Sequence, residues 1–477
     1  MNCLIGIERA PTKVPVKPRP STEEASRKTQ GSYTGVTITR NKVLKYYLQD
    51  DLYIFAKEYI FLRLIERFNI GLKITHLQFA PNYFCPQIGL IKHDGDLAGL
   101  RREIALKPIG YKLELAYKII LGLKNIHNLG IIHRDIKSKN ILVNVDLCEA
   151  TICDFNVSTI GDEVERRMST CVQTPTFRAP EVIRGAKTCK YSNKIDIWGL
   201  GLALFELFFY GPPYDYRGLA GGGPQNTSPP NKNALPCSTL PAMLIYDMKT
   251  GLSELSIKNK LKILNMLPIS HLKKCLADKT RDFAPIYGPD KYANIINILA
   301  HCMDPNPGRR WDIFNLRSHF YMFLINDQGA LADMGEPLQN QLSESTNMYN
   351  YYLDNKGYLG RIMESHGTRA FDCQNTRRFG AYLHILAGRE KVPQDVQNLT
   401  GRLHYGLLAR QMVQPAQYFG APKAGLQDKI YTLALIYISC AILDAPVPEF
   451  IDISSGIIEL QVKKILVECD GRLLEVG

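Results

Sequence analysis

His133-Arg134-Asp135-Ile136-Lys137-Ser138-Lys139-Asn140 is followed, fourteen positions after Asn140, by Asp154-Phe155-Asn156, and the rest of the chain is read around this stretch. The octet follows an apolar pair, Ile131-Ile132, so a short buried strand delivers the chain into a polar loop. Asp135 and Asn140 stand five positions apart in that loop, a spacing that presents both side chains to one site. Asp154 follows the strand-like run Ala150 to Cys153. A lone His-Arg-Asp triplet is a weak signal, because a surface turn with an ion pair would look the same.

Phosphoryl transfer requires a carboxylate that orients the attacking hydroxyl and accepts its proton, ligands for Mg²⁺, and cations on the phosphates. Asp135 is the candidate base and Asn140 a candidate metal ligand. Lys137, two residues after Asp135, is placed to neutralise the transferred group, and Asp154 to hold a bridging Mg²⁺.

In register with this core stand Phe177-Arg178-Ala179-Pro180-Glu181, Asp196-Ile197-Trp198-Gly199-Leu200-Gly201, and Asp304-Pro305 through Arg310. With these motifs the chain from about Gly31 to Phe323 resembles a eukaryotic protein kinase. The resemblance implies ATP and Mg²⁺ as cofactors, protein substrates, and a Glu181–Arg310 ion pair. Lys137 resembles the serine/threonine pattern, so it implies those hydroxyls as acceptors. Arg178 before Ala-Pro-Glu and the run Ile263 to Pro268 are similar to the cyclin-dependent kinase group, although any amphipathic helix stopped by proline would give the second.

The small lobe departs most from that pattern. Glu58, in Glu58-Tyr59-Ile60-Phe61-Leu62, is the candidate partner for the strand lysine that holds the phosphates; Lys45 is the first choice for that lysine and Lys57 the alternative. Gly31-Ser32-Tyr33-Thr34-Gly35-Val36 is a shortened phosphate-covering loop, with Gly31, Gly35 and Val36 as its binding residues and two glycines where the family has three. Asn156 replaces the usual glycine after Asp-Phe, and asparagine tolerates left-handed backbone there. Ser169 and Thr170 lie where many kinases are phosphorylated, with Arg134 as the partner for the added charge. The worn glycine loop and Asn156 keep a second reading open, a pseudokinase scaffold that binds partners without catalysis.

Lys+Arg 58 against Asp+Glu 46 gives a net charge of +12, which favours anionic partners; nucleotide explains it without a nucleic-acid partner. Twelve cysteines without metal-ligand spacing, and no charged-then-apolar leader, imply free thiols in a reducing compartment, cytoplasmic or nuclear and not secreted. The longest apolar run, Ile430 to Leu443, falls short of the ~20 residues that span a bilayer, so no membrane association is expected.

The expected fold class is α+β: a two-lobed protein kinase fold, with a small β-rich lobe and a large helical lobe, followed by an all-α C-terminal domain. Residues 1–28, basic and proline-containing, read as a flexible extension, 29–325 as the kinase domain, 326–365 as a linker and 366–477 as a helical domain. Strands are expected at Val36 to Thr39 and Lys42 to Tyr47, with helices at Leu52 to Phe68, Leu113 to Leu129, Ile195 to Phe209, Ile257 to Leu267, Tyr292 to Cys302 and Leu426 to Leu443; Gly211 to Pro236 reads as an insertion. From residue 370 to 477 the helical landmarks, among them Leu426 to Leu443, Val447-Pro448-Glu449-Phe450-Ile451 and Val462 to Leu466, resemble a cyclin box, which would make this region an intramolecular regulator; an external cyclin-like partner is the alternative. The lysine and glutamate of that box are absent, and Ala441, Leu443 and Asp444 stand there instead.

Overall fold

The computed structural model describes residues 25–27, 34–47, 52–67, 71–79, 86–161, 163–164, 172–182, 191–211, 262–263, 265–326, 383, 392–409, 424–451 and 456–474. Strands β1 (Ala25–Arg27), β2 (Thr34–Ile38), β3 (Lys42–Tyr47), β4 (Ile74–Phe79) and β5 (Pro86–Ile91) form an antiparallel sheet in the order β1-β2-β3-β5-β4. β1 falls inside the stretch read as a flexible extension, and pairs Ser26 with Thr37. Between β3 and β4 runs α1 (Leu52–Arg67), a 16-residue helix whose apolar residues recur at helical spacing and pack on the sheet.

The alternation of β3 sends Lys45 and Tyr47 to the buried face, towards α1. β6 (Gly95–Asp96), β8 (Ile141–Asn144) and β9 (Glu149–Ile152) make a small sheet, and β7 (Ile131–Ile132) pairs with β10 (Thr159–Ile160). The loop carrying Asp135 thus leaves one paired strand, β7, and enters another, β8, which pins both of its ends. β11 (Glu163–Val164) pairs with β12 (Tyr191–Ser192).

Helices α2 (Arg101–Ala105), α3 (Ile109–Asn128) and α4 (Lys194–Phe209) begin the large lobe, followed by α5 (Ile269–Lys279), α6 (Ala284–Tyr287), α7 (Pro289–Cys302) and α8 (Ile313–Asn326). Every residue of α4 from Ile195 to Phe209 except Glu206 is buried, as expected of a helix that is apolar all round. The expected 257–267 helix and the 211–236 insertion lie mostly outside the described residues.

Three further helices follow: α9 (Gln394–Ala409), α10 (Ala424–Leu443) and α11 (Ile457–Glu468). α10 is sandwiched by α9 and α11 and packs against α1, so it is covered all along Tyr431 to Leu443. No helix among the described residues is long and apolar enough to cross a membrane.

Candidate active site

Asp196, in the first turn of α4, is fully buried and accepts from the loop backbone at two points, His133 N at 2.8 Å and Arg134 N at 2.7 Å; His127 Nε2 lies 2.9 Å away. One turn on, Gly199 lets α4 reach the loop: a Cβ there would sit 2.4 Å from Ile136 O. Arg134 occupies the left-handed region at φ 67°. The loop is therefore shaped by α4 rather than by its own sequence.

His133 stacks edge-on against Phe155, with ring centroids 4.9 Å apart. Its Nε2 lies 3.0 Å from Cys153 O and its Nδ1 3.3 Å from Asp135 N. A neutral imidazole that donates through Nε2 and accepts through Nδ1 satisfies both contacts. Burial, the largest influence, holds its pKa below the usual histidine value and favours that neutral form.

The Asp135 carboxylate is held on both oxygens. Oδ1 accepts from Thr174 N at 2.9 Å and Thr174 Oγ1 at 2.8 Å, and Oδ2 from Lys137 Nζ at 2.6 Å. Lys137 Nζ also reaches Thr174 Oγ1 at 2.9 Å. Asn140 donates Nδ2 to Asp135 O at 2.9 Å, which turns its Oδ1, a hard oxygen, away from the loop backbone.

Lys45 Nζ donates to Glu58 Oε1 and Oε2 at 2.8 and 2.7 Å and to Asp154 Oδ1 at 3.0 Å. Tyr47 OH donates to Glu58 Oε2 as well. Burial alone would lower the Lys45 pKa, but the carboxylates of Asp154 and Glu58 override it and hold the ammonium above the usual lysine range. Burial would raise Asp154; the Lys45 ammonium foremost, with Lys137, brings it below the ordinary carboxylate value. Glu58 is drawn upwards by burial against the pull of Lys45, yet two short bonds from one ammonium are the geometry of an ionised carboxylate. Asp154 Oδ1 faces Lys45, and the side chain keeps a third of its surface exposed, so a carboxylate oxygen and Asn140 Oδ1 remain as donors that suit Mg²⁺.

Of the two candidate lysines, Lys45 meets Glu58, while Lys57, one residue before Glu58 on α1, pairs with Asp444. Val36 lies in β2 as expected, across the ladder from Lys45, and Gly35 lies in the same strand, across from Tyr46, rather than in a loop; Gly31 is outside the described residues. A Cβ on Gly35 would meet only Tyr46 Cδ2, at an ordinary 3.7 Å. The left-handed residue of the Asp-Phe-Asn turn is Asp154, at φ 71°; Asn156 is not among the left-handed residues, so glycine's freedom is not called on there. Phe155 is buried under α1 against Phe61, with ring centroids 6.4 Å apart. Arg310 clamps Glu181 through bonds of 2.6 and 3.0 Å. Ser169 and Thr170 fall outside the described residues, and the Arg134 guanidinium is already engaged by Tyr191 OH at 2.9 Å and Asp444 at 2.9 Å.

Sequence reasoning missed Thr174, Tyr47 and Asp444. None carries a local signal, since each acts on a residue 11 to more than 300 positions away.

Residues 93–322 match the family described as the protein kinase domain. Mitogen-activated protein kinase HOG1 of Scheffersomyces stipitis is 37% identical over 110 residues, 23% of this chain and 27% of that protein. Mitogen-activated protein kinase mpkC of Aspergillus clavatus is 26% identical over 230 residues, 48% of this chain and 53% of the relative. Serine/threonine kinase NLK of Caenorhabditis elegans is 41% identical over 104 residues, 22% of this chain and 16% of its own length. The chain thus spans from a sixth to about half the length of these relatives. The matched residues run from just before β6 into α8 and include the Asp135 loop.

Proposed function

We propose that the chain transfers the γ-phosphoryl group of ATP to serine or threonine hydroxyls of protein substrates. The observation that carries this reading is the Asp135 carboxylate, held by Thr174 and Lys137 beside Asn140, with the Lys45–Glu58–Asp154 cluster assembled at the same cleft. Asp135 orients the acceptor hydroxyl and takes its proton. Lys137 offsets charge on the group in transit, and Lys45, aimed by Glu58, neutralises the phosphates. Asn140 Oδ1 and Asp154 are the Mg²⁺ ligands, and the ion supplies further charge neutralisation when bound. Gly35 and Val36 of β2 form the nucleotide-covering side.

The features behind a scaffold reading, Asn156 and the sparse glycines, remove none of these groups. The described helices α9 to α11 support a cyclin-like all-α domain that regulates the kinase in cis, and Arg178 with the 263–268 run supports a place near the cyclin-dependent group. The described cysteines are free thiols, which favours a cytoplasmic or nuclear setting.

Transfer of labelled phosphate from ATP to a mixed Ser/Thr peptide pool tests the reading. The intact chain should exceed Asp135→Ala by more than about 10²-fold, within the range expected for removal of a catalytic base. Equal background signals from both proteins would defeat it.

A further inference from the structure

Asp444 ends α10 in the left-handed region, at φ 53°, and its side chain is fully buried. A non-glycine residue held there persists only when its surroundings dictate it. They do so here. Asp444 Oδ1 lies 2.6 Å from Lys57 Nζ and Oδ2 lies 2.9 Å from Arg134 Nη2, and all three side chains have no exposed surface. Tyr53 OH secures the same turn by donating to Cys440 O at 2.8 Å and Ala445 O at 3.0 Å.

The two cations matter for what adjoins them. Lys57 precedes Glu58, the carboxylate that aims Lys45, and Arg134 precedes Asp135. One carboxylate from the C-terminal helices therefore ties α1 to the catalytic loop, at the backbone positions next to the phosphate-binding and base residues. Without it, two buried cations would face each other across a dry gap, an arrangement that a dielectric well below that of water makes costly. The Arg134 pKa reports the same dependence: burial would lower it, and Asp444 raises it.

A second contact clamps α1 nearer its C-terminus. Asp470 accepts from Tyr59 OH at 2.7 Å and Arg63 Nη2 at 2.5 Å, next to Gly471, whose Cβ would fall 2.6 Å from Tyr59 Cε1.

We propose that Asp444 is a positioning residue for phosphoryl transfer, a built-in anion that aligns α1 with the catalytic loop so that no acidic group added by modification is needed at Arg134. The proposal rests on the kinase reading above. An external phosphate cannot reach Arg134 Nη2 without displacing Asp444, so the aligned state belongs to the chain as synthesised.

The test uses the full chain after treatment with a Ser/Thr phosphatase. Wild type should keep its turnover after treatment, whereas Asp444→Asn should lose about 10²-fold in kcat, the penalty of an ångström-scale misplacement. Asp444→Ala should regain activity in sodium formate and not in sodium chloride of equal ionic strength, because formate refills the space between Lys57 and Arg134 with an anion. A merely structural role would not respond to formate. Hydrogen exchange of residues 52–67 and 131–140 supplies a readout independent of turnover, and both segments should exchange faster in Asp444→Asn.

An Asp444→Asn protein with wild-type kcat and exchange overturns the proposal, as does a wild type silenced by the phosphatase. A wild type no better than Asp135→Ala overturns the kinase reading instead, and the exchange comparison then still decides whether Asp444 aligns the two elements.

Discussion

Asp196→Asn isolates the contribution of α4 to the catalytic loop. Asp196 accepts two backbone N–H bonds, from His133 at 2.8 Å and Arg134 at 2.7 Å, and its side chain has no exposure. Asparagine preserves the shape and retains one acceptor oxygen, so one N–H must face an amide NH₂. The lost charge-assisted bond is worth about 1.5–3 kcal/mol and the stranded N–H about 1–3 more, so a destabilisation of about 2.5–6 kcal/mol is expected. At about 2–4 °C per kcal/mol for a lobe of this size, the melting midpoint should fall by about 5–24 °C. Tryptophan fluorescence is a direct probe, because both tryptophans lie in the large lobe: Trp198 is two residues from Asp196, and Trp311 is stacked between His301 and His319 at 4.1 Å from each. Below the new midpoint, kcat should remain at least tenfold low, since the loop has lost an anchor on the peptide carrying Asp135. A midpoint within 2 °C of wild type, with kcat unchanged, would refute the claim that α4 shapes the loop.

Thr174→Val removes the hydroxyl that bonds Asp135 and Lys137 and should lower kcat about tenfold, while Thr174→Ser stays near wild type; equal losses in both would show that the hydroxyl is not what matters. Tyr47→Phe deletes one donor to Glu58 and should raise KM for ATP severalfold, at a cost of about 1 kcal/mol, as read by steady-state kinetics at varied ATP. An unchanged KM would exclude a role for Tyr47 in aiming Glu58. His404 is buried in α9 with its pKa lowered by burial to about 4, against about 6.5 in the unfolded chain. Between these values the unfolded chain binds more protons, so the stability His404 permits is present above pH 6.5 and is lost as pH falls towards 4. Melting midpoints measured from pH 7 to 4 should therefore decline less steeply in His404→Leu, and identical slopes would count against this account.

Much of the large lobe is legible from the chain alone because its signals are local. An apolar pair feeding a polar octet, fifteen consecutive mostly apolar residues from Ile195, and the Asp-Pro-to-Arg310 run each announce an element whose side-chain periodicity matches its backbone. The limits of α3, α4 and α7 accordingly fall within a few residues of expectation. The small lobe is less legible. The sequence favours Lys45 over Lys57 without excluding the latter, and the pleat of β3 and the rotation of α1 decide between them, with Lys45 towards Glu58 and Lys57 towards Asp444. Gly35, expected in a loop, continues a strand because β2 pairs on both sides, with β1 and with β3.

The sequence by itself determined which groups the chain can bring to a phosphoryl-transfer site, since spacing within one loop or one strand is a property of covalent geometry. The tertiary structure decided how those groups are held. Thr174 reaches Asp135 across 39 positions and Asp444 reaches Arg134 across some 310, and at such separations no periodicity relates one residue to the other. A buried charge must find its partner wherever packing puts one, and in Asp444 packing supplied it from the far end of the chain.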